Sequence, residues 1–436
     1  MVPLQAEFVS KEETKMKDDV PPRVVIIGGG VAGLMSAYFL RQEMPHGQIT
    51  VLEKGHYIPY QFGTSTRSAA CTRQQFGCEH NVQMSMFSTR FYERFAEHTG
   101  EQSPMLYQKG YLFLYRDDRW QIAQDRVKIQ YNLGLTDVRA LSVDEIRKEF
   151  PLVHEDHGLR GGTFCPTDGF LDPNIILTAL RDWLKEAGVR IRTNSEVVGF
   201  SYNQNRVSGV ELSDGHVFCA DYVVNATGPW ASRIARMLGT NLPVGPEKRY
   251  LWTAEFRDPA DDLPDTEFRK VPMIVCWGDG MTPYLKPEPG RNPHAFTMGC
   301  EHPTDPVWDF MDEQQDEVEN GYHANDPEGY HVRAWQELAT WVPFAEKFGF
   351  LKRTLGGFYE TTPDHNPFID FDPNCPNVVH CAGFSGHGIM HGPAAGRTVA
   401  DLLKFGEYQT FPSGKRNLSF AGFNSPEGRE VETMKI

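Results

Sequence analysis

The 436-residue chain is 40% hydrophobic and 23% charged, enough to bury two cores or one large discontinuous one. A formal charge of −15 argues against a nucleic-acid or anionic-membrane surface. The uncharged run Val24–Leu40 is too short and too glycine-rich for a membrane span, and eight scattered cysteines without a CxxC pair predict free thiols in a reducing cytoplasm.

Residues 1–20 mix lysines with acidic residues, which argues against a transit peptide and predicts a disordered leader. Order begins at "RVVIIGGGVAGLMSAYFLRQ", a β-branched strand, a glycine turn and then helical spacing. Gly28, Gly30 and Gly33 stand in GxGxxG register directly between that strand and helix. The first glycine permits the tight turn, the second lets backbone approach a pyrophosphate, and the third lets helix and strand pack closely. The helix start also offers free N–H groups to phosphate. A second strand, "QITVLEK", delivers Glu53 about twenty residues beyond Gly33, where a carboxylate grips a ribose hydroxyl and disfavours NADP. Together these features predict dinucleotide binding and leave FAD and NAD open.

Further along, Gln61–Arg73 reads as a polar loop, Asn81–His98 as a helix and residues 111–117 as a strand. "DPNIILTALRDWLKEAGVRIRTNSEVVGF" predicts a helix ended by Gly188 and then a strand. A hairpin follows around Asp214-Gly215, leading into a buried strand, Tyr222–Asn225, that breaks at Thr227-Gly228 in "VVNATGPWA". Residues 302–330 carry nine acidic side chains and no lysine or arginine, which predicts a solvated loop or insertion. Near the end, "AGFSGHGIMHGPAAGRTVADLL" crowds glycines and two histidines ahead of a helix expected from about His391. Gly383, Gly386 and Gly388 would clear space for backbone N–H groups, and the helix start would stabilise negative charge on a flat cofactor. Beyond about 410 the composition is that of a loop.

Three segments, "GGGVAG…Glu53", "VVNATGPWA" and "GFYETTPDHNPFID…AGFSGHG", resemble the D-amino-acid-oxidase-like superfamily of FAD oxidoreductases. The branch that this chain is most similar to holds sarcosine oxidase, dimethylglycine dehydrogenase and the FAD-dependent oxidoreductase domain proteins. The resemblance covers most of residues 21–410. It implies an α/β protein in which a Rossmann-like FAD-binding domain is joined to a second, mainly antiparallel substrate domain. The FAD-binding domain is expected from residues 21–100, 155–240 and 346–410, and the substrate domain from 101–154 and 241–345. The substrate domain carries the acidic insertion 302–330, which the resemblance does not cover, and a tail at 411–436 follows the FAD-binding domain. The cofactor implied is non-phosphorylated FAD. Its contacts would come from Val31 and Ala32 after the glycine turn, Lys54 beside Glu53, and the loop residues Ser65, Thr66, Ser68 and Ala69. Val197, Thr227, Gly228 and Trp230 would add to these, with Gly383, Gly386, His387, Gly388, Ile389 and Met390 at the last crossing. His387 then belongs to a flavin cradle and not to a metal site, for which further ligands at suitable spacing are lacking. Arg73 is implied as the clamp for a substrate carboxylate, a role that suits the guanidinium fork. Tyr284 and Tyr359 fall where the pattern places pocket tyrosines.

Three positions depart from that pattern. Gly357 stands where monomeric sarcosine oxidases carry the cysteine of a covalent flavin, so non-covalent FAD is expected, with His80 the alternative attachment point. Met390 replaces a substrate-holding lysine, and Thr297 a lysine that promotes reaction with oxygen; Lys286 or His302 are alternatives to the latter. The leading expectation is oxidation of a C–N bond in an amine or amino acid, with imine hydrolysis afterwards and electrons passed to oxygen or a carrier. The alternatives are a 2-hydroxy-acid or polyol dehydrogenase and an assembly factor with structural FAD.

Overall fold

The computed structural model describes residues 21–434 apart from 61–62, 104, 154–157, 259–262, 269, 279, 289–294, 302–328 and 350–352. The leader and nearly all of the acidic stretch therefore lie outside the described residues. A six-stranded sheet has the order 368–371, 378–382, 222–225, 23–27, 48–52, 190–192, parallel except at its first pair. The first strand, Arg23–Ile27, shows why the sheet is covered on both sides. Val24 and Ile26 face a core containing the helices Val31–Glu43 and Gly388–Phe405, while Val25 and Ile27 face Val197, Phe200 and Val210 of a small antiparallel sheet. Period-two alternation thus feeds two different cores from five residues.

The helix Pro173–Glu186 starts as the sequence leads one to expect. Asp172 caps it by accepting from the N–H groups of Asn174 and Ile175 at 2.9 and 3.2 Å, and Pro173 occupies the first turn. Gly188, at φ +80°, follows its end. The expected helix over 81–98 is two helices, Glu79–Glu93 and Phe95–Thr99, broken at Arg94.

The second sheet has eight strands in the order 353–361, 245–255, 295–301, 282–287, 273–277, 111–115, 161–165, 139–141. All pairs are antiparallel but that of 273–277 with 111–115. Leu112, Leu114, Ile274, Cys276, Leu285 and Met298 pack on the helix Tyr330–Trp341, which buries Tyr330, Ala334, Leu338 and Trp341 at helical spacing. The opposite face, with Phe113, Val275, Leu251 and Tyr284, joins the core of the first sheet.

Two boundaries differ from expectation. Gly161–Cys165 and Arg353–Thr361, assigned by sequence to the FAD-binding part, are strands of the eight-stranded sheet, the first paired with 111–115 and 139–141 and the second with 245–255. The tail is also structured. Its turn-rich composition hides the side chains that pin it: Arg429 forks onto Asp364 at 2.5 and 2.6 Å, and buried Glu432 accepts from the N–H groups of Gly77 and Cys78 and from Asn81. No described helix is long and apolar enough to cross a membrane.

Candidate active site

The glycine turn is shaped partly by the protein and partly for something else. A Cβ on Gly28, at φ +108°, would stand 2.3 Å from the Ala226 carbonyl oxygen, and one on Gly33 would stand 2.0 Å from that of Gly28. Both glycines are therefore required by packing. At Gly30 an added Cβ would meet only Ser65 Oγ, at 3.3 Å, and the residue lines a cavity of about 820 Å³. Space left open at a glycine that the fold itself does not need is what a bound phosphate would require. Gly30 also leaves the helix start without a side-chain cap, and Ser65 Oγ accepts from the Val31 N–H at 3.1 Å.

Glu53 lines this cavity beside the glycine turn. Its two oxygens accept from the N–H groups of Gly29 and Gly55, each at 2.7 Å, which fixes the carboxylate and leaves each oxygen a lone pair for a ribose hydroxyl. Ala32, Lys54, Thr66, Val197, Thr227, Gly228 and Trp230 also line the cavity; Lys54 is paired with Glu196 at 3.1 Å. Arg233 joins them and was not singled out from the sequence.

A second cavity, of about 60 Å³, opens beside the first, and Val31, Thr64, Ser65, Glu360 and Gly388 line both. Ser68, Ala69, Tyr284, Tyr359, Gly386 and Ile389 line it. The helix that begins at Gly388, three residues earlier than the sequence suggested, has no side-chain cap and directs its N-terminus here. Burial pushes the Tyr359 phenol up to about 12 and raises that of Tyr284 well above the ordinary range, so both remain O–H donors. Arg249 and Arg67 are further lining residues. Arg249 pairs with Glu247 at 2.7 Å and lies 5.3 Å from the centre of the Tyr359 ring, while Arg67 donates to the Gly356 carbonyl at 2.7 Å.

Glu360 is the residue that sequence reasoning passed over, although it follows Tyr359 directly. Its carboxyl accepts from the Gly383 N–H at 2.9 Å, and burial, opposed by the N–H groups of Gly383 and Phe384, raises it from the carboxylate range to about 7. Arg249 could have been found by its period-two spacing from Leu251 on one strand face; Glu360 carries no such signal.

Several expected site residues lie elsewhere. Arg73 lines neither cavity: its guanidinium is wholly buried and donates to the Gln75 and Met434 carbonyls, with His387 Nε2 at 3.2 Å and the Phe76 ring 4.0 Å beneath it. The structured tail, unseen in the sequence, therefore covers the arginine assigned to substrate. His387 is buried against Arg73 and the edge of Phe76, and burial holds it neutral. Met390 is packed in the core, and Thr297 donates to Glu288 away from both cavities. Lys286, opposite Thr297 in register, is held by the same Glu288 at 2.8 Å. Gly383 shapes the site from behind, through the hydrogen bond to Glu360. His80 sits between Asn366 and Asn417, and neither cavity is lined by a histidine or cysteine among the described residues. The described residues hold one cluster of three potential metal ligands, Cys78, His80 and Glu430, but both ring nitrogens of His80 already have amide partners.

A glycine cradle opening on two helix starts whose own N-cap residues give no side-chain cap, a fixed carboxylate at the ribose position and a side pocket for a reacting group define a dinucleotide-dependent oxidoreductase. The family model for FAD dependent oxidoreductases (DAO) matches residues 23–402, and the chain belongs to that family. It is 30% identical over 431 residues to FAD-dependent oxidoreductase domain-containing protein 1 of Bos taurus, covering 90% of this chain and 83% of that one. It is 26% identical to sarcosine oxidase subunit beta of Rhizobium meliloti, covering 88% and 85%. Among solved structures it is similar to L-proline dehydrogenase from P. horikoshii, with a TM-score of 0.73, 28% identity and coverage of 90% and 96%. The cofactor is FAD, and the open face of Gly30 and the hydrogen-bonded Glu53 carboxylate fit it.

Proposed function

We propose that the chain oxidises a C–N bond in a small amine or amino acid, with FAD held non-covalently across the two cavities. The observation that carries this reading is the second cavity, where Tyr284, Tyr359, Arg67 and Arg249 converge beside the Gly388 helix start. FAD, when bound, supplies the two-electron acceptor. Arg249 is the better candidate for holding a substrate carboxylate, since Arg73 is turned into the core. The two phenols orient the amine and exclude water from it, so that its neutral form is presented. A volume of about 60 Å³ favours a small substrate. Names of relatives that act on sarcosine and L-proline support an amine over an alcohol. Non-covalent attachment is supported by Gly357 in the wall of the second cavity and by the positions of His80 and the cysteines.

The test is an anaerobic titration of flavin absorbance with secondary amino acids, primary amines and 2-hydroxy acids, followed by admission of air. Bleaching by an amine supports the proposal, and the rate of recolouring separates oxygen from a carrier as acceptor. Bleaching by hydroxy acids alone would refute it.

A further inference from the structure

Glu360 is one of the residues that line both cavities, and it stands between the Gly228 turn and the start of the Gly388–Phe405 helix. A Cβ built on Gly388 would lie 3.5 Å from its Oε1, and one on Gly228 3.8 Å from its Oε2. The carboxyl is supported from behind by two backbone N–H groups, and no ion pair reaches it among the described residues. We propose that Glu360 is a cofactor-contacting residue that is protonated when FAD is bound, its O–H donating to FAD, so that binding takes up a proton above neutral pH. With water displaced from the cavity by the cofactor, a bare carboxylate at this point would leave an acceptor facing a ligand that itself carries negative phosphates.

The neighbouring groups do not provide an alternative titration. Cys381 lies behind Glu360 on the strand Val378–Ala382 and is pushed above the ordinary thiol range, partly by Glu360 itself. Tyr359, beside Glu360 on the strand Arg353–Thr361, is pushed up to about 12, and His387 at the helix start is held neutral. Arg67 and Arg249 from the second cavity and Arg233 from the first are permanently charged.

If only the protonated form binds, the FAD dissociation constant rises roughly tenfold per pH unit once Glu360 ionises in the free protein. Apo-protein titrated with FAD between pH 6 and 9, followed by flavin fluorescence, reads this directly. Wild type is expected to weaken as pH rises, whereas Glu360→Gln stays flat, because an amide keeps both the acceptor for Gly383 and a donor toward FAD at every pH. Parallel profiles for the two proteins would overturn the proposal. Calorimetry of wild type alone, in two buffers of different ionisation enthalpy at pH 8, serves if the variant does not fold. Uptake approaching one proton per FAD is expected, and none would overturn it.

Discussion

Where the large cavity is walled by backbone at Gly28, Gly30, Gly228 and Gly388, the small one is walled by the side chains of Arg67, Arg249, Tyr284 and Tyr359. The first is built from short runs that begin or end an element, among them 27–32, 52–54, 195–198 and 226–230. The second sets the loop 64–69 against three separate strands, 245–255, 282–287 and 353–361, that meet only in the eight-stranded sheet. Contacts made through backbone constrain residue type at fixed spacing, so they can be read from a sequence. Contacts made by side chains across a sheet depend on register, and register depends on pairings between distant segments.

The largest effect expected from breaking this contrast is at Gly30. Gly30→Val is expected to fold, since the only neighbour of the new Cβ is the Ser65 hydroxyl, and to bind no FAD, because the side chain fills the cavity. A purified variant without absorbance near 450 nm checks this. Gly33→Ala should behave oppositely, losing stability first, because its Cβ would press on the Gly28 carbonyl.

Next comes the tail, which the sequence showed as loop. Arg429→Met leaves Asp364 partly buried and unpaired, and breaking such a pair costs about 3–5 kcal/mol. Urea unfolding of the holoprotein is expected to show this loss. No loss would mean that the tail is not part of the fold.

The Rossmann-like half was legible because Gly28, Gly30, Gly33 and Glu53 encode their own geometry, and Tyr222–Asn225 was read at its observed bounds. Gly188 likewise marked the end of its helix. Arg73 misled because nothing local distinguishes a guanidinium aimed at substrate from one aimed at a carbonyl of the chain's own tail, hundreds of residues away. Glu360 was missed for a related reason: a glutamate in "FYETTPD" reads as surface charge until Gly383 and Gly388 close around it.

The two arginines sharpen this point. Arg249→Met is expected to raise KM for a carboxylate-bearing substrate roughly 10–100-fold, the loss of a charged hydrogen bond of about 1.5–3 kcal/mol, with FAD still bound. Arg73→Met is expected to lower Tm without a selective rise in KM. Steady-state kinetics beside thermal melts would distinguish the two roles, and the reverse pattern would return Arg73 to the substrate.

The smallest effect is expected at Tyr359. Removing its hydroxyl in Tyr359→Phe keeps the ring that Arg249 lies over and deletes one donor, worth about 1 kcal/mol and so roughly a fivefold loss of kcat/KM. Because burial pushes the phenol up to about 12, the hydroxyl stays protonated throughout the working range, and Tyr359 contributes no ionisation to the pH profile below about pH 11. The profiles of wild type and Tyr359→Phe should therefore be parallel and offset. A limb near pH 9–10 that vanishes in the variant would instead make Tyr359 a base, and the small cavity would then act by proton transfer as well as by orientation.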